Sequence, residues 1–514
     1  MAARDARLEE LLPQVVSILK EQGVVAYLAG GFLRDALLGR PSNDVDLAVA
    51  GDPLALAQGV ARTLGGHYVL LDEALPTARV VFQGSSADAG IVYFDFCQFR
   101  GDDILADLAQ RDFTINALAL DLQQAIGHLV FGPWSLVAGT TDHGLRTTDY
   151  ELRTILDPFG GLADLRAGRI RAVHDGVFQD DPVRLLRAVR FVAQLGFQIE
   201  PHTQALIRRD SALAPRPAGE RVGEEIVKIL STPAAGQHLR LLDSLGLLTV
   251  VIPELDSLRG VSQPQEHYWD VFEHSLQTVS AAERLLNSLQ VATPPSTLPC
   301  ITGEGRVGER LRAHFAEVLA ADRPRAIACK LAALLHDVAK PQTRSVEPNG
   351  RIRFLNHQIV GLPIVEDVLR RLRFSRREIA VILTVIEHHL RPGQLTDETT
   401  VSKRAVYRFF RDTGDEGVDV LLLSLADHLA TRGPLLNAAH WAQHVAMTQA
   451  MLTCYLAPEP AAAPVRLITG DDVLALGVPS GPRVGELLDQ VREAQAAGEV
   501  HTREEALAFA RALI

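Results

Sequence analysis

Residues 30–46 read Gly-Gly-Phe-Leu-Arg-Asp-Ala-Leu-Leu-Gly-Arg-Pro-Ser-Asn-Asp-Val-Asp. The apolar run 24–29 before them predicts a strand, the double glycine at Gly30 and Gly31 opens a helix, and a second strand carries Asp44 and Asp46. Side chains two apart on a strand share a face, so these carboxylates point one way while Val45, Leu47 and Val49 point the other. Paired carboxylates form a hard-oxygen site suited to Mg²⁺. Glycine lets the backbone approach a phosphate closely, and the N–H groups at a helix start attract the anion. A phosphate cradle beside metal-binding acids points to nucleotidyl transfer. Asp95, inside the apolar run 91–96, is a third acid expected beside the other two on a neighbouring strand. An unpaired carboxylate in a strand is costly, so it needs a metal or a partner. The alternative for Asp95 is a turn cap or an ion pair with Arg100. Three such acids fit a two-metal mechanism, in which one ion activates a 3′-hydroxyl and the other holds the triphosphate.

Composition bounds the setting. A chain of 514 residues is too long for one core. With 47% apolar and 22% charged residues it has the balance of a soluble globular protein. Aromatic residues make up 5%, which argues against base stacking as the main mode of nucleic-acid binding. A net charge of −12 means that any RNA contact must rest on a local basic surface. Cys97, Cys300, Cys329 and Cys454 are scattered, as in a reducing cytosol. The N-terminus is charged and amphipathic and no apolar run is long enough for a bilayer, so a cytoplasmic protein is expected.

Helical periodicity covers 7–22, and strand-like runs follow at 45–49, 68–71, 79–82 and 91–96. Mixed elements up to about residue 150 give way to helical patterns, of which 183–195 is the most regular. Residues 291–307 are rich in Pro, Thr and Gly and read as a loop or insertion, and 457–464 as a linker.

Further motifs follow in order: Arg111-Asp-Phe-Thr-Ile-Asn-Ala117, Asp157-Pro-Phe-Gly-Gly-Leu-Ala-Asp164, Asp180-Asp-Pro-Val-Arg-Leu-Leu-Arg-Ala-Val-Arg-Phe191 and Glu220-Arg-Val-Gly-Glu-Glu225. With the opening stretch, they resemble the bacterial tRNA nucleotidyltransferase and poly(A) polymerase family, class II of the polymerase-β superfamily. The resemblance implies an α+β fold: a mixed-sheet nucleotidyltransferase head at 1–150, then a mostly helical body at 151–255 with a base-templating helix. It implies nucleotide binding by Gly30, Gly31, Arg34, Asp35, Arg111, Asp112 and Asn116, with Mg²⁺ at Asp44 and Asp46. It also implies a protein template in Asp181 and Arg184. Arg donates to the acceptors of a base edge and Asp accepts from its amine, a pair that suits cytosine and adenine and rejects uracil and guanine. Three residues apart on a helix, the two would share a face, and the bland alternative is an intrahelical ion pair. Arg187 and Arg190, further along, either contact phosphates or line a solvated face.

A second set comprises His274, His336-Asp337 and Asp427, with His357, His388 and His389 between them as further ligands. Such residues on separate helices suit a divalent metal with mixed N/O ligands. The pattern resembles the HD superfamily of metal-dependent phosphohydrolases over 256–455, with 291–325 as an insertion and 456–514 as linker and helical tail. The family expectation is hydrolysis of 2′,3′-cyclic phosphates or related phosphomonoesters at RNA ends; the metal's identity is left open.

Enzymes that add the whole CCA sequence carry a long flexible loop before the Arg-Asp-Phe-Thr motif, whereas here only Gly101–Ala106 separates Arg100 from Asp107. By resemblance, a shortened loop goes with addition of two cytidines to tRNA from CTP, leaving adenosine to a separate A-adding enzyme. Full CCA addition, using ATP as well, stays open. The alternatives are a poly(A) polymerase, or an HD phosphohydrolase whose head serves only to bind RNA.

Overall fold

A computed structural model describes residues 6–73, 75–83, 90–122, 155–290, 306–396, 401–456 and 466–514. The chain divides into two compact units, 1–217 and 218–514, and the division falls inside the stretch 151–255. The stretch 123–153, to which the sequence assigns no role, lies outside the described residues.

The first unit is built on a seven-stranded sheet. Its strands are β1 (Ala26–Ala29), β2 (Asp44–Val49), β3 (His67–Asp72), β4 (Thr77–Phe82), β5 (Val92–Gln98), β6 (Ala119–Asp121) and β7 (Ile155–Leu156). They lie in the order β3-β4-β5-β2-β1-β6-β7. The β2–β5 pair is parallel and its neighbours are antiparallel, so the expected mixed sheet is present. Alternation explains which face is buried. Val45, Leu47 and Val49 of β2, and Ala78, Val80 and Phe82 of β4, are buried. Helix Pro53–Leu64 lays Leu56, Ala57 and Val60 against this layer. That helix has Asp52 accepting from the N–H groups of Leu54 and Ala55 as its cap, and it ends at Gly65, φ 73°. The opposite face of β2, β4 and β5 carries Asp44, Asp46, Arg79 and Asp95.

The motif Asp157–Asp164 turns out to be a brace. Asp157 accepts from the N–H groups of Gly161 and Leu162 at 2.6 and 3.0 Å, starting helix Gly161–Arg166. Asp164 is fully buried and accepts from the Thr114 hydroxyl and the Arg171 guanidinium, both at 2.8 Å. Together they hold the short 3₁₀ turn Thr114–Asn116.

The second unit is helical. Helix Val271–Ser288 packs against Arg325–Leu335 and Gly417–Arg432. Lys330, buried, donates to Glu283 at 3.0 Å and to the Leu230 carbonyl at 2.7 Å, which tie a charge into this core. Within the expected 291–325 insertion, the described part is regular: helix Arg306–Ala316 and the strand pair Val318–Ala320 and Arg323–Pro324. The tail helices Gly470–Ala475, Pro482–Ala497 and Arg503–Ala512 share a core of their own around Val473, Leu487, Val491 and Ala506. Arg404, on helix Lys403–Thr413, reaches the tail at Glu493 (3.2 Å) and Glu499 (2.8 Å). Among the described residues, no helix is long and apolar enough to cross a membrane.

Gly161 tests the brace. A Cβ there would stand 2.2 Å from the Thr114 carbonyl oxygen, so Gly161→Ala must displace the Thr114–Asn116 turn. Urea titration should register a loss of about 1–3 kcal/mol; an unchanged midpoint would contradict the close packing.

Candidate functional sites

In the first unit, parallel pairing sets Asp46 directly beside Asp95, with Asp44 two residues back on the same face. Arg79 of β4 answers them. Its Nε and Nη2 donate to the two oxygens of Asp95 at 2.7 Å each, and Nη2 reaches Asp44 at 3.3 Å. Asp95 is thereby paired, not by a turn or by Arg100 but by a cross-strand partner. Burial, and then the charge of Asp44, push the Asp46 carboxyl up to about 6, against the pull of Arg111. Burial and Asp95 also raise Asp44, opposed by Arg79. The pair Asp44–Asp46 is thus short of positive charge, and its oxygen donors fit a divalent cation such as Mg²⁺.

Gly30 takes φ 78°, and a Cβ on it would lie 2.7 Å from Arg111 Nη1 and 3.1 Å from Asp46 Oδ2. The glycine therefore makes room for these two side chains. Gly31 N–H donates to Asp46 Oδ2 at 3.1 Å, so the carboxylate sits at the start of helix Gly31–Leu37. Arg111 is held by Asp107 through Nε and Nη2 at 3.0 and 2.9 Å.

A connected chain of polar groups runs on from there. Arg34 clasps Asp35 at 2.9 and 2.7 Å and donates to Asn116 Oδ1 at 2.8 Å. Asn116 Nδ2 donates to Asp112 Oδ1 at 2.8 Å, and Arg187 donates to Asp112 Oδ2 at 2.9 and 2.7 Å. Burial opposes the charge on Asp112, yet Arg187, Asn116 and the Phe113 N–H hold its carboxyl well below the usual range. The guanidinium carbons of Arg34, Arg187 and Arg190 lie 5.0, 5.4 and 4.4 Å from the centre of the Phe191 ring. Each distance is within cation–π reach, and the ring face eases three like charges into one place.

Asp181 and Arg184 require a correction. They do not share a helix face: helix Val177–Asp180 ends at Asp181, which is extended at φ −146°, ψ 99°, and the next helix, Arg184–Leu195, starts at Arg184. Pro182 is the physical reason, since a residue before proline is driven out of the helical region. Asp181 Oδ1 accepts from the Val183 N–H at 3.3 Å. Arg184, buried, donates through Nη2 to the Gln110 carbonyl at 2.8 Å, so a main-chain group steadies it.

The second unit brings together most of its expected set. His274 Nε2 lies 3.0 Å from Asp427 Oδ1 and 3.4 Å from Asp337 Oδ2. His336 Nε2 is 3.1 Å from Asp337 Oδ2, and His357 Nε2 is 3.2 Å from Asp337 Oδ1. The His389 ring stands 5.1 Å from that of His336 and 5.4 Å from that of His357. Among the described residues, two groups have ligand atoms close enough for one ion: His274, His336 and Asp427, and His336, Asp337 and His389. His336, His357 and His389 each place Nδ1 on a main-chain carbonyl, at 3.0, 2.7 and 2.6 Å. A carbonyl only accepts, so each Nδ1 carries a proton, and Nε2 is the nitrogen that each ring turns toward the centre. His388 is not part of this centre. Consecutive helical side chains diverge, and His388 lies half-buried among Glu387, Arg391 and Asp412. Lys340, which sequence reasoning missed, contacts Asp337 at 2.7 Å. Arg79, Asp107, Gln110 and Phe191 were missed as well; of these only the Phe that closes the Asp180–Phe191 motif lay within a quoted pattern.

Three family models match the chain: "Poly A polymerase head domain" over 26–132, "Probable RNA and SrmB- binding site of polymerase A" over 196–259, and "HD domain" over 271–432. The A-adding tRNA nucleotidyltransferase of Deinococcus radiodurans is 33% identical, over 94% of this chain and 94% of that protein. The CC-adding tRNA nucleotidyltransferase of Thermus thermophilus is also 33% identical, over 94% of this chain and 92% of its own length. The fold matches that of the Thermotoga maritima CCA-adding enzyme, solved with a tRNA, at a TM-score of 0.59 and 21% identity, covering 99% of this chain and 98% of that one.

Arg187→Ala would strand the buried Asp112 carboxylate, and denaturant unfolding should show a loss of about 2 kcal/mol at neutral pH. The folded carboxyl titrates below its unfolded value. The pair's contribution is therefore full above the ordinary Asp pKa of about 3.9 and is lost as the pH falls below it. The gap between wild type and variant should close over that acid range; a gap constant with pH would mean that the charge pair is not its origin.

Proposed function

The chain belongs to the tRNA nucleotidyltransferase and poly(A) polymerase family, and we propose that it adds two cytidines to the 3′ end of tRNA from CTP in the cytoplasm. It is a nucleotidyltransferase with an HD domain. The observation that carries the proposal is the single-faced set Asp44, Asp46 and Asp95 next to Gly30, Gly31 and a cluster of arginines.

Asp44 and Asp46 would hold Mg²⁺, which supplies activation of the 3′-hydroxyl and charge compensation for the triphosphate. The protein's own part is positioning. Arg79 fixes Asp95 and steadies Asp44. Arg34, aligned by Asp35 and Asn116, directs a fixed positive charge at the triphosphate. Arg111 and the Asp112–Asn116 pair face the nucleotide from the turn braced by Asp164. Asp181 and Arg184 read the base edge, the one accepting from its amine and the other donating to its ring acceptors. Arg187 and Arg190, gathered at Phe191, extend the positive surface.

Termination after two additions follows from the short loop. Asp103 caps helix Ile104–Ala109, Asp107 accepts from the Arg100 N–H at 3.2 Å, and Gln110 Nε2 donates to the Arg100 carbonyl at 2.6 Å. Because the Gln110 carbonyl also receives Arg184, the loop and the base-reading arginine are tied together. A tether of this kind opposes the reorientation that a change from cytosine to adenine requires. The second reading, A addition with ATP after another enzyme has added CC, stands because the A-adding relative is as similar as the CC-adding one. Full CCA addition and a poly(A) polymerase are the remaining rivals.

Incubation with tRNA lacking its 3′ end and labelled CTP or ATP, resolved at single-nucleotide length, separates these readings. Two cytidines are expected; a lone adenosine on a CC end, full CCA or a long tail would overturn CC addition. Asp44→Ala and Asp46→Ala should abolish incorporation, and full activity in either would refute the metal assignment.

For the HD centre we infer a metal-dependent phosphohydrolase acting on cyclic or terminal phosphate esters, with His274, His336, Asp337 and Asp427 as ligands and His357 and His389 beside them. Ring opening of a 2′,3′-cyclic nucleotide to the monophosphate, in which one water is added and one P–O ester bond breaks, should disappear in Asp337→Ala; persistence would place the hydrolysis elsewhere.

A further inference from the structure

Three carboxylates share the open face of the sheet in the first unit, and most neighbouring cations have a carboxylate of their own. Arg111 is held by Asp107 through two donors at 3.0 and 2.9 Å. Arg34 clasps Asp35 at 2.9 and 2.7 Å. Among the described residues, Arg79 is the cation that forms ion pairs with the acids of the site itself.

Its placement follows from alternation along β4. Ala78, Val80 and Phe82 are buried on the side of helix Pro53–Leu64, so Arg79 projects from the opposite face. There it stands level with Asp95 in the antiparallel register with β5. Asp95 is the more enclosed partner, its side chain 11% exposed against 54% for Asp44. The contacts follow that difference. Both Asp95 oxygens accept from Arg79 at 2.7 Å, in the fork geometry that suits a carboxylate, whereas Asp44 receives one longer contact at 3.3 Å. The guanidinium carbon also lies 4.7 Å from the centre of the Tyr93 ring, within cation–π reach. Tyr93 is two residues before Asp95 on β5 and level with Asp44 of β2, so ring and carboxylates fix the arginine together. Withdrawing Arg79 would leave Asp95 buried and unpaired, which is costly.

Arg79 Nη2, between Asp44 and Asp95, fills the place of a cation that would bridge those two acids. Three carboxylates against one guanidinium leave two negative charges, the charge of a single divalent ion. We propose that Arg79 is a built-in substitute for one metal ion: it withholds Asp95 from coordination and limits the nucleotide-free transferase site to one divalent cation, held by Asp44 and Asp46. Asp95 is then a positioning residue that acts on Asp44 through Arg79. A second ion finds ligands only when a triphosphate brings oxygens of its own. The proposal rests on the reading of Asp44 and Asp46 as the metal-binding pair.

Mn²⁺ binding to the full chain without nucleotide, counted from the electron paramagnetic resonance signal of the unbound ion, tests it. Each protein is compared with the same protein carrying Asp44→Ala and Asp46→Ala, so that ions at the HD centre cancel from the difference. Wild type should bind one ion more than its control, Arg79→Gln two, and Arg79→Lys, which keeps the charge, one. An arginine that only braced the strands would leave the Arg79→Gln difference at one. That result, or a difference of two in wild type, would overturn the proposal and leave the Asp44–Asp46 assignment standing. A difference of zero in wild type would refute that assignment and the proposal with it. Should Arg79→Gln lose the cooperative thermal transition of wild type, the wild-type count decides alone: one ion sustains the proposal and two overturn it.

Discussion

The parallel pairing of β2 with β5 is the constraint from which the transferase site follows. It puts Asp46 level with Asp95 and leaves Asp44 on the same face. Three carboxylates so close cannot remain charged together in a half-buried setting without cations. The protein meets part of this need with Arg79 and leaves the rest unmet at Asp44 and Asp46. Gly30 yields space for Arg111 and Asp46, and the arginines gathered at Phe191 add positive charge to the same unit. The brace from Asp157 to Asp164 matters because it holds Asn116, which links Arg34 to Asp112.

Local rules carried the reading of this site far. Strand alternation alone places Asp44 and Asp46 together, and the expected runs at 24–29, 45–49, 68–71, 79–82 and 91–96 all became strands. What the sequence could not supply was adjacency between strands. Arg79 pairs with Asp95 because β4 neighbours β5, and no spacing announces that order. Asp181 failed for the opposite reason: its spacing from Arg184 looked helical, while Pro182, plainly written beside it, forbade the helix. His388 and His389 could not both face one centre, but which of the two does so depends on how the helix Arg376–His388 is rotated about its axis.

The HD centre illustrates a different economy. Its candidate ligands come from five places in the sequence, and the sequence order supplied them, but the hydrogen bonds of their rings needed the fold. Three main-chain carbonyls, each three residues before its histidine, fix the rings so that one nitrogen is committed and the other turns toward the centre. The same helix that carries Asp427 also presents Ser424, His428 and Thr431 to a neighbouring cavity.

The tail poses a mechanical question. It possesses its own apolar core, and arginine–glutamate pairs, including Arg404 with Glu493 and Glu499, join it to the neighbouring helix. Ionic strength acts unequally on those two kinds of cohesion. At 1 M salt the screening length falls to about 3 Å, which weakens exposed pairs, while excluded salts favour apolar burial. Concentrated salt should therefore weaken the exposed Arg404–Glu499 pair of the seam while leaving the apolar core beyond it intact.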